Sequence, residues 1–149
     1  MPSVLTKHFT HESLSAPGRW LVAGSAAVAA IAHIPVIAPH LDQAPYMGVL
    51  FIVLTVACSV LAAAVLVRDS RVVYALVAIT CGLAVVGYAA TRVVAFPMLA
   101  DDVGNWLEPL GVVSIVSESI AVAAALIALH RARQTSAPPA RRRNQGVIL

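Results

Sequence analysis

Residues 46–67 read YMGVLFIVLTVACSVLAAAVLV, an apolar run without a single charged side chain. Wound as an α-helix at ~1.5 Å per residue, it extends about 33 Å, enough to cross the ~30 Å hydrocarbon core of a bilayer. Three blocks of the same kind surround it: Trp20 to about Ala38, Val72 to Phe96, and Leu110 to Leu129. None shows the short apolar–polar alternation that a membrane barrel needs. Lipid has no partner to offer an unpaired backbone group, so each block is expected to be a helix.

Composition agrees. The chain has 149 residues, of which 60% are hydrophobic and only 11% charged, more apolar surface than one soluble core could absorb. The breaks between blocks are Pro39 to Pro45, Arg68-Asp69-Ser70-Arg71, and Pro97 to Pro109. Short breaks join antiparallel neighbours. The expected architecture is therefore all-α: a four-helix transmembrane bundle, up-down-up-down, over residues 19–131, with a cytoplasmic arm (1–18) and a disordered, basic cytoplasmic tail (132–149).

Charge sets the expected orientation. Of ten Lys and Arg residues, Lys7, Arg19, Arg68, Arg71, Arg131, Arg133 and Arg141 to Arg143 all fall on one side, leaving Arg92 as the exception. The positive-inside rule makes that side the cytoplasm, with both termini there and the protein a multi-pass component of the cell membrane. Asp42, Asp101, Asp102 and Glu108 lie in the opposite loops, which hold no Lys or Arg. A competing reading takes Met1 to about Ala32 as a cleaved signal peptide. Its apolar segment exceeds the ~7–15 residues usual for such a region and runs on into Ile34, Val36 and Ile37. The Arg141-Arg142-Arg143 run lacks accompanying aromatic residues and reads as a topology anchor or a contact with anionic lipid, not as a nucleic-acid site.

Small residues recur at four-residue spacing: Ala23 and Ala27, Ala26 and Ala30, Ser59 and Ala63, Gly87 and Thr91, Ser117 and Ala121. Such pairs let helices approach closely in lipid. Cys58 and Cys81 fall at about the same depth on the second and third spans, without CxxC spacing, and read as small core residues that can meet mid-membrane.

Ionisable groups are costly in hydrocarbon, so the few present are the candidate functional residues. His33, Arg92 and Glu118 lie within the spans, and His40, Asp42 and Glu108 at their edges, all in the same half of the bundle. A buried Arg92 requires an acidic partner, for which Glu118 is the first candidate and Glu108 the second. His33 and His40 are seven residues apart, about 10 Å along a straight helix, too far to bind one ion. Only a bend at Pro35 or Pro39 would make them a metal site, with Asp42, Glu108 or Glu118 supplying carboxylates. A bis-histidine haem lacks a second axial ligand from another span. His8 and His11 read as solvated. Nucleophile elbow, phosphate loop, HExxH and haem-attachment motifs are absent.

The segments His33-Ile34-Pro35-Val36-Ile37-Ala38-Pro39-His40-Leu41, Tyr46-Met47-Gly48-Val49-Leu50-Phe51, Thr91-Arg92 before Pro97, and Glu108-Pro109-Leu110-Gly111-Val112 with Glu118 together carry a resemblance. From roughly Ala32 to Ala123 the chain resembles a family of small four-span, actinobacterial-type integral membrane proteins without an assigned activity. The resemblance implies two histidines around a proline on the first span and an acidic fourth span. The chain departs from it at Ala38 or Pro39, where an acid often precedes the second histidine, at Ala95-Phe96, which replaces Gly-Leu, and at Ser114, which replaces Asp.

Three functions fit this reading. The first is a non-enzymatic accessory or assembly subunit that contacts the lipid bilayer and other membrane proteins or copies of itself. The second is a metal-binding or redox-linked membrane protein using His33, His40 and the carboxylates, with a metal ion as the cofactor. The third is a small transporter, in which Arg92 and Glu118 would form a gate or proton relay. No half-helix repeat or inverted symmetry supports the third.

Overall fold

Every backbone N–H that crosses lipid must find its acceptor inside its own segment, and the four apolar blocks satisfy this as helices. The computed structural model describes residues 16–135. It contains α1 (Ala16–Gln43), α2 (Pro45–Val67), α3 (Arg71–Val93) and α4 (Pro109–Thr135), with a short 3-10 turn at Ala100–Asp102 and no strand among the described residues. All four helices are long and apolar enough to cross a membrane. They form the expected up-down-up-down bundle. α1 packs on both α2 and α4, α3 packs on α4, and α2 meets α3 only sparsely, so the ring has one loose seam.

Helix ends differ from the expected spans in three places. α1 does not stop near Ala38 but runs through Pro35 and Pro39 to Gln43, leaving Ala44 alone between it and α2. A proline inside a helix costs one backbone hydrogen bond, and both rings lie on an exposed face where they displace no neighbour. The actual stop is Pro45, which disfavours helical geometry at Ala44 (φ −143°, ψ 80°) and then serves as the first residue of α2. α3 ends at Val93 instead of Phe96, because Val94 turns extended and the Arg92 carbonyl accepts from Gly104 N at 2.9 Å. α4 continues to Thr135, so residues 132–135 are helical and not part of a disordered tail. The rest of the expected arm and tail, residues 1–15 and 136–149, lies outside the described residues, as do His8, His11 and the Arg141 to Arg143 run.

Packing follows residue size. Ala26, Ala29, Ala121, Ala125 and Ala128 are fully buried on α1 and α4, as is Ser117 nearly so, and these small side chains bring the two helices close. The pair Ser59 and Ala63 does not belong to such an interface: both are exposed on the outside of α2. Cys58 of α2 and Cys81 of α3 are buried in the same core cluster. Large aliphatic side chains point outward instead: Val60, Val67 and Leu83 are 60%, 79% and 67% exposed, as lipid contact requires.

At the basic end of the bundle, arginines tie helix ends together. Arg19 of α1 donates to the Val65 and Leu66 carbonyls of α2, at 3.1 and 2.5 Å. Arg71 of α3 donates to the Ala132 carbonyl of α4. Each pairing satisfies carbonyls that a helix C-terminus leaves open and sets positive charge against the negative end of the dipole. At the opposite end the α1–α2 hairpin closes on Gly48. A Cβ there would stand 2.6 Å from the Leu41 backbone nitrogen. Gly48→Ala should therefore push α2 away from α1 and destabilise the bundle by about 1–3 kcal/mol, read as a lower thermal midpoint in detergent micelles, whereas Gly24→Ala, with open space around it, should leave the midpoint in place.

Candidate functional site

The non-basic end of the bundle holds the polar groups. Glu108 precedes α4 and caps it, its carboxylate accepting from Leu110 N at 3.2 Å and from Gly111 N at 2.5 Å. A negative charge is well placed at these free amides and at the positive end of the helix dipole. Position 111 admits no side chain, since a Cβ would meet the Tyr88 ring at 2.4 Å. Glycine there lets Tyr88 of α3 lie against α4, and the Tyr88 hydroxyl donates to the Trp106 carbonyl at 2.9 Å.

Arg92 is 7% exposed and does not pair with Glu118 or Glu108, contrary to the expectation from depth. Its Nη1 is 3.1 Å from the Asp102 carboxylate and also donates to the Asp102 carbonyl, and its guanidinium lies 4.5 Å over the Tyr88 ring. The reason is local. Because α3 stops at Val93, the chain folds back and the 3-10 turn delivers Asp102 to the end of α3, closer than any acid on α4.

Glu118 finds a histidine instead. Its Oε1 is 3.4 Å from His33 Nε2, and the same nitrogen shares a hydrogen bond of 2.9 Å with the Ser114 hydroxyl. Ser114 and Glu118 are one turn apart on α4, so both face α1. His33, Ser114 and Glu118 are 4%, 6% and 1% exposed. With one proton between them, the imidazole and carboxylate carry no net charge, which a low-dielectric site favours. Phe51 reaches in from α2 and touches both imidazoles, 5.5 Å from the His33 ring and 4.9 Å from that of His40, while His40 Nδ1 donates to the Val36 carbonyl at 2.7 Å.

These groups surround a cavity of about 480 Å³ that includes His33, His40, Arg92, Glu108 and Glu118 in its lining. Asp42 is not part of it and stands exposed near the end of α1. Pro35 and Pro39 do not bring the two histidines together around an ion, since α1 stays helical between them. Among the described residues no three His, Cys, Asp or Glu side chains gather to hold a metal. His33 Nδ1 and Arg92 Nε are buried and have no hydrogen-bond partner, and Glu118 Oε1 has only its 3.4 Å contact with His33 Nε2.

Ser114, Tyr88, Phe51 and Asp102 belong to the site and were not singled out as candidates from the residues alone. Two of them carried a usable signal: Ser114 precedes Glu118 by four residues and Tyr88 precedes Arg92 by four, the spacing that stacks side chains on one helix face. Compared with known proteins, the chain matches no family model, no curated protein and no solved structure.

A double-mutant cycle separates the two pairing schemes. Arg92→Met with Asp102→Asn should show a coupling of about 1–3 kcal/mol in unfolding free energy, and Arg92→Met with Glu118→Gln a coupling near zero; the reverse order would return Arg92 to α4.

Proposed function

We propose that this chain is a non-enzymatic, accessory-type protein of the cell membrane, with both termini in the cytoplasm, that holds a small lipid-soluble molecule within its bundle. One observation carries the reading. A cavity of about 480 Å³ inside a four-helix chain is lined by His33, Arg92 and Glu118, each more than nine-tenths buried, and His33 Nδ1 and Arg92 Nε lack a partner. Unpartnered polar atoms inside a membrane cost several kcal/mol, roughly, and a purely structural bridge would have consumed them. The volume falls in the ~300–1,000 Å³ range of small-molecule sites, where a mostly apolar lining is oriented by a few polar groups.

Orientation rests on charge. Arg19, Arg68, Arg71, Arg131 and Arg133 sit at the end opposite the cavity, so the positive-inside rule puts the cavity in the outer half of the membrane. The accessory character rests on what surrounds the cavity: Ser114 and Glu118 both meet His33 at Nε2 and Nδ1 has no orienting partner, unlike a Ser–His nucleophile held by a third group, and no metal set accompanies them among the described residues.

Two measurements test this. In a Cys58→Ala, Cys81→Ala background, a membrane-impermeant maleimide added to intact cells should label Asn105→Cys and spare Gln134→Cys; the opposite pattern inverts the topology. Protein purified gently from its own membrane should release a small molecule near one per chain, and Gly87→Leu, which adds bulk at a cavity-lining position where a Cβ meets no neighbour, should release none. Equal recovery from both, at the level of bulk lipid, would remove the binding reading.

A further inference from the structure

The cavity's shape and chemistry narrow what it holds, an inference that rests on the binding reading above. Its lining on α3 runs from Thr80 to Arg92, about 18 Å at the helical rise, which is long relative to one polar head. The ionisable groups are confined to one end, and Thr80 is the polar residue at the other. Farther in, the walls are apolar, with Leu54 and Ala57 from α2 and Leu83 and Ala84 from α3. These two helices form the loose seam of the ring. Leu50, Val53 and Leu83, which line the cavity here, are 54%, 59% and 67% exposed, so the other helices do not seal this wall.

The polar end specifies the head. Arg92 Nε can only donate, so it needs an acceptor; His33 Nδ1 and Glu118 Oε1 can donate or accept according to where their proton resides. A head with oxygens on two sides meets both demands. Aromatic side chains line this end: Phe51 stacks on His33 with an interplanar angle of 29°, and Tyr88 lies under the Arg92 guanidinium. Flat rings fit beside such walls. Charge is already balanced, Arg92 by Asp102, Glu118 by His33, and Glu108 by the first amides of α4. An uncompensated carboxylate or ammonium on the ligand would enter without a counter-charge.

We propose that the cavity binds a neutral, flat-ringed molecule with hydrogen-bonding oxygens and an alkyl or isoprenoid tail, of the quinone and quinol class, which enters from the bilayer between α2 and α3. The ring lies at the His33, Arg92 and Glu118 end and the tail along the seam. Fatty acids fail on charge. Long-chain alcohols present one oxygen and no ring, and so satisfy one of the two polar sides.

Trp106 reports occupancy, since its ring is 6.4 Å from that of Tyr88 and quinones quench indole fluorescence. The full chain carrying Trp20→Phe, reconstituted in lipid nanodiscs, is titrated with a 1,4-benzoquinone bearing a ten-carbon tail, and in parallel with decanol and decanoate as competitors. The expected result is saturable quenching that neither competitor relieves and whose apparent Kd rises about tenfold or more in Gly87→Leu. His33→Phe should weaken it as well, and near-ultraviolet circular dichroism checks that both variants keep their packing. Competition by decanol or decanoate at equal concentration would overturn the quinone class while leaving the binding reading intact. Unsaturable quenching, identical in Gly87→Leu and unaffected by any competitor, would overturn both.

Discussion

A bilayer supplies no hydrogen bonds, and most features of this molecule follow from that. The backbone must be helical wherever it crosses. Where the helices end, the open carbonyls and amides are met by side chains: Arg19 and Arg71 reach the ends of α2 and α4, Ser70 caps α3, and Glu108 caps α4. The few polar groups carried into the spans are held to each other under the same constraint, which is why His33, Ser114 and Glu118 converge from two helices while Arg92 draws a loop acid onto the end of α3.

Lipid also removes the hydrophobic drive between helices, so closeness depends on size. Alanines line both sides of the α1–α4 contact, and these helices pack densely. α2 is rich in Val, Leu and Ile that face outward, and its contact with α3 is thin except at buried points such as Cys58 and Cys81. The cavity is a product of this unevenness. Dense packing on one side of the ring brings His33 to Ser114, and sparse packing on the other leaves a space beside them.

The functional reading therefore depends on the coexistence of buried polar atoms without partners and room next to them. A chain selected only for stability would close one or the other, either by pairing Arg92 Nε and His33 Nδ1 or by filling the seam with larger side chains at Gly87 and Ala84. Gly111 sharpens the point, because its missing side chain lets Tyr88 stand at the cavity wall with Arg92 above its ring.

By itself, the sequence determined that four helices form and antiparallel neighbours alternate, because apolar length and charge distribution are properties of each segment alone. It also marked His33, His40, Asp42, Arg92, Glu108 and Glu118 as the polar set of one end, since cost in hydrocarbon is a property of the residue and its depth, and of these Asp42 stands outside the cavity. Tertiary structure decided the pairing. Depth cannot say which acid meets Arg92, and the answer turned on α3 unwinding at Val93, three residues early, so that Asp102 swung back. Nor could the prolines of α1 be weighed from sequence: Pro35 and Pro39 leave the helix intact because their rings face outward, and Pro45 ends it. Which helices touch and where space remains are relations among segments: α1 packs on α2 and α4, α3 packs on α4, and α2 and α3, with bulky side chains facing outward, leave the seam between them thin.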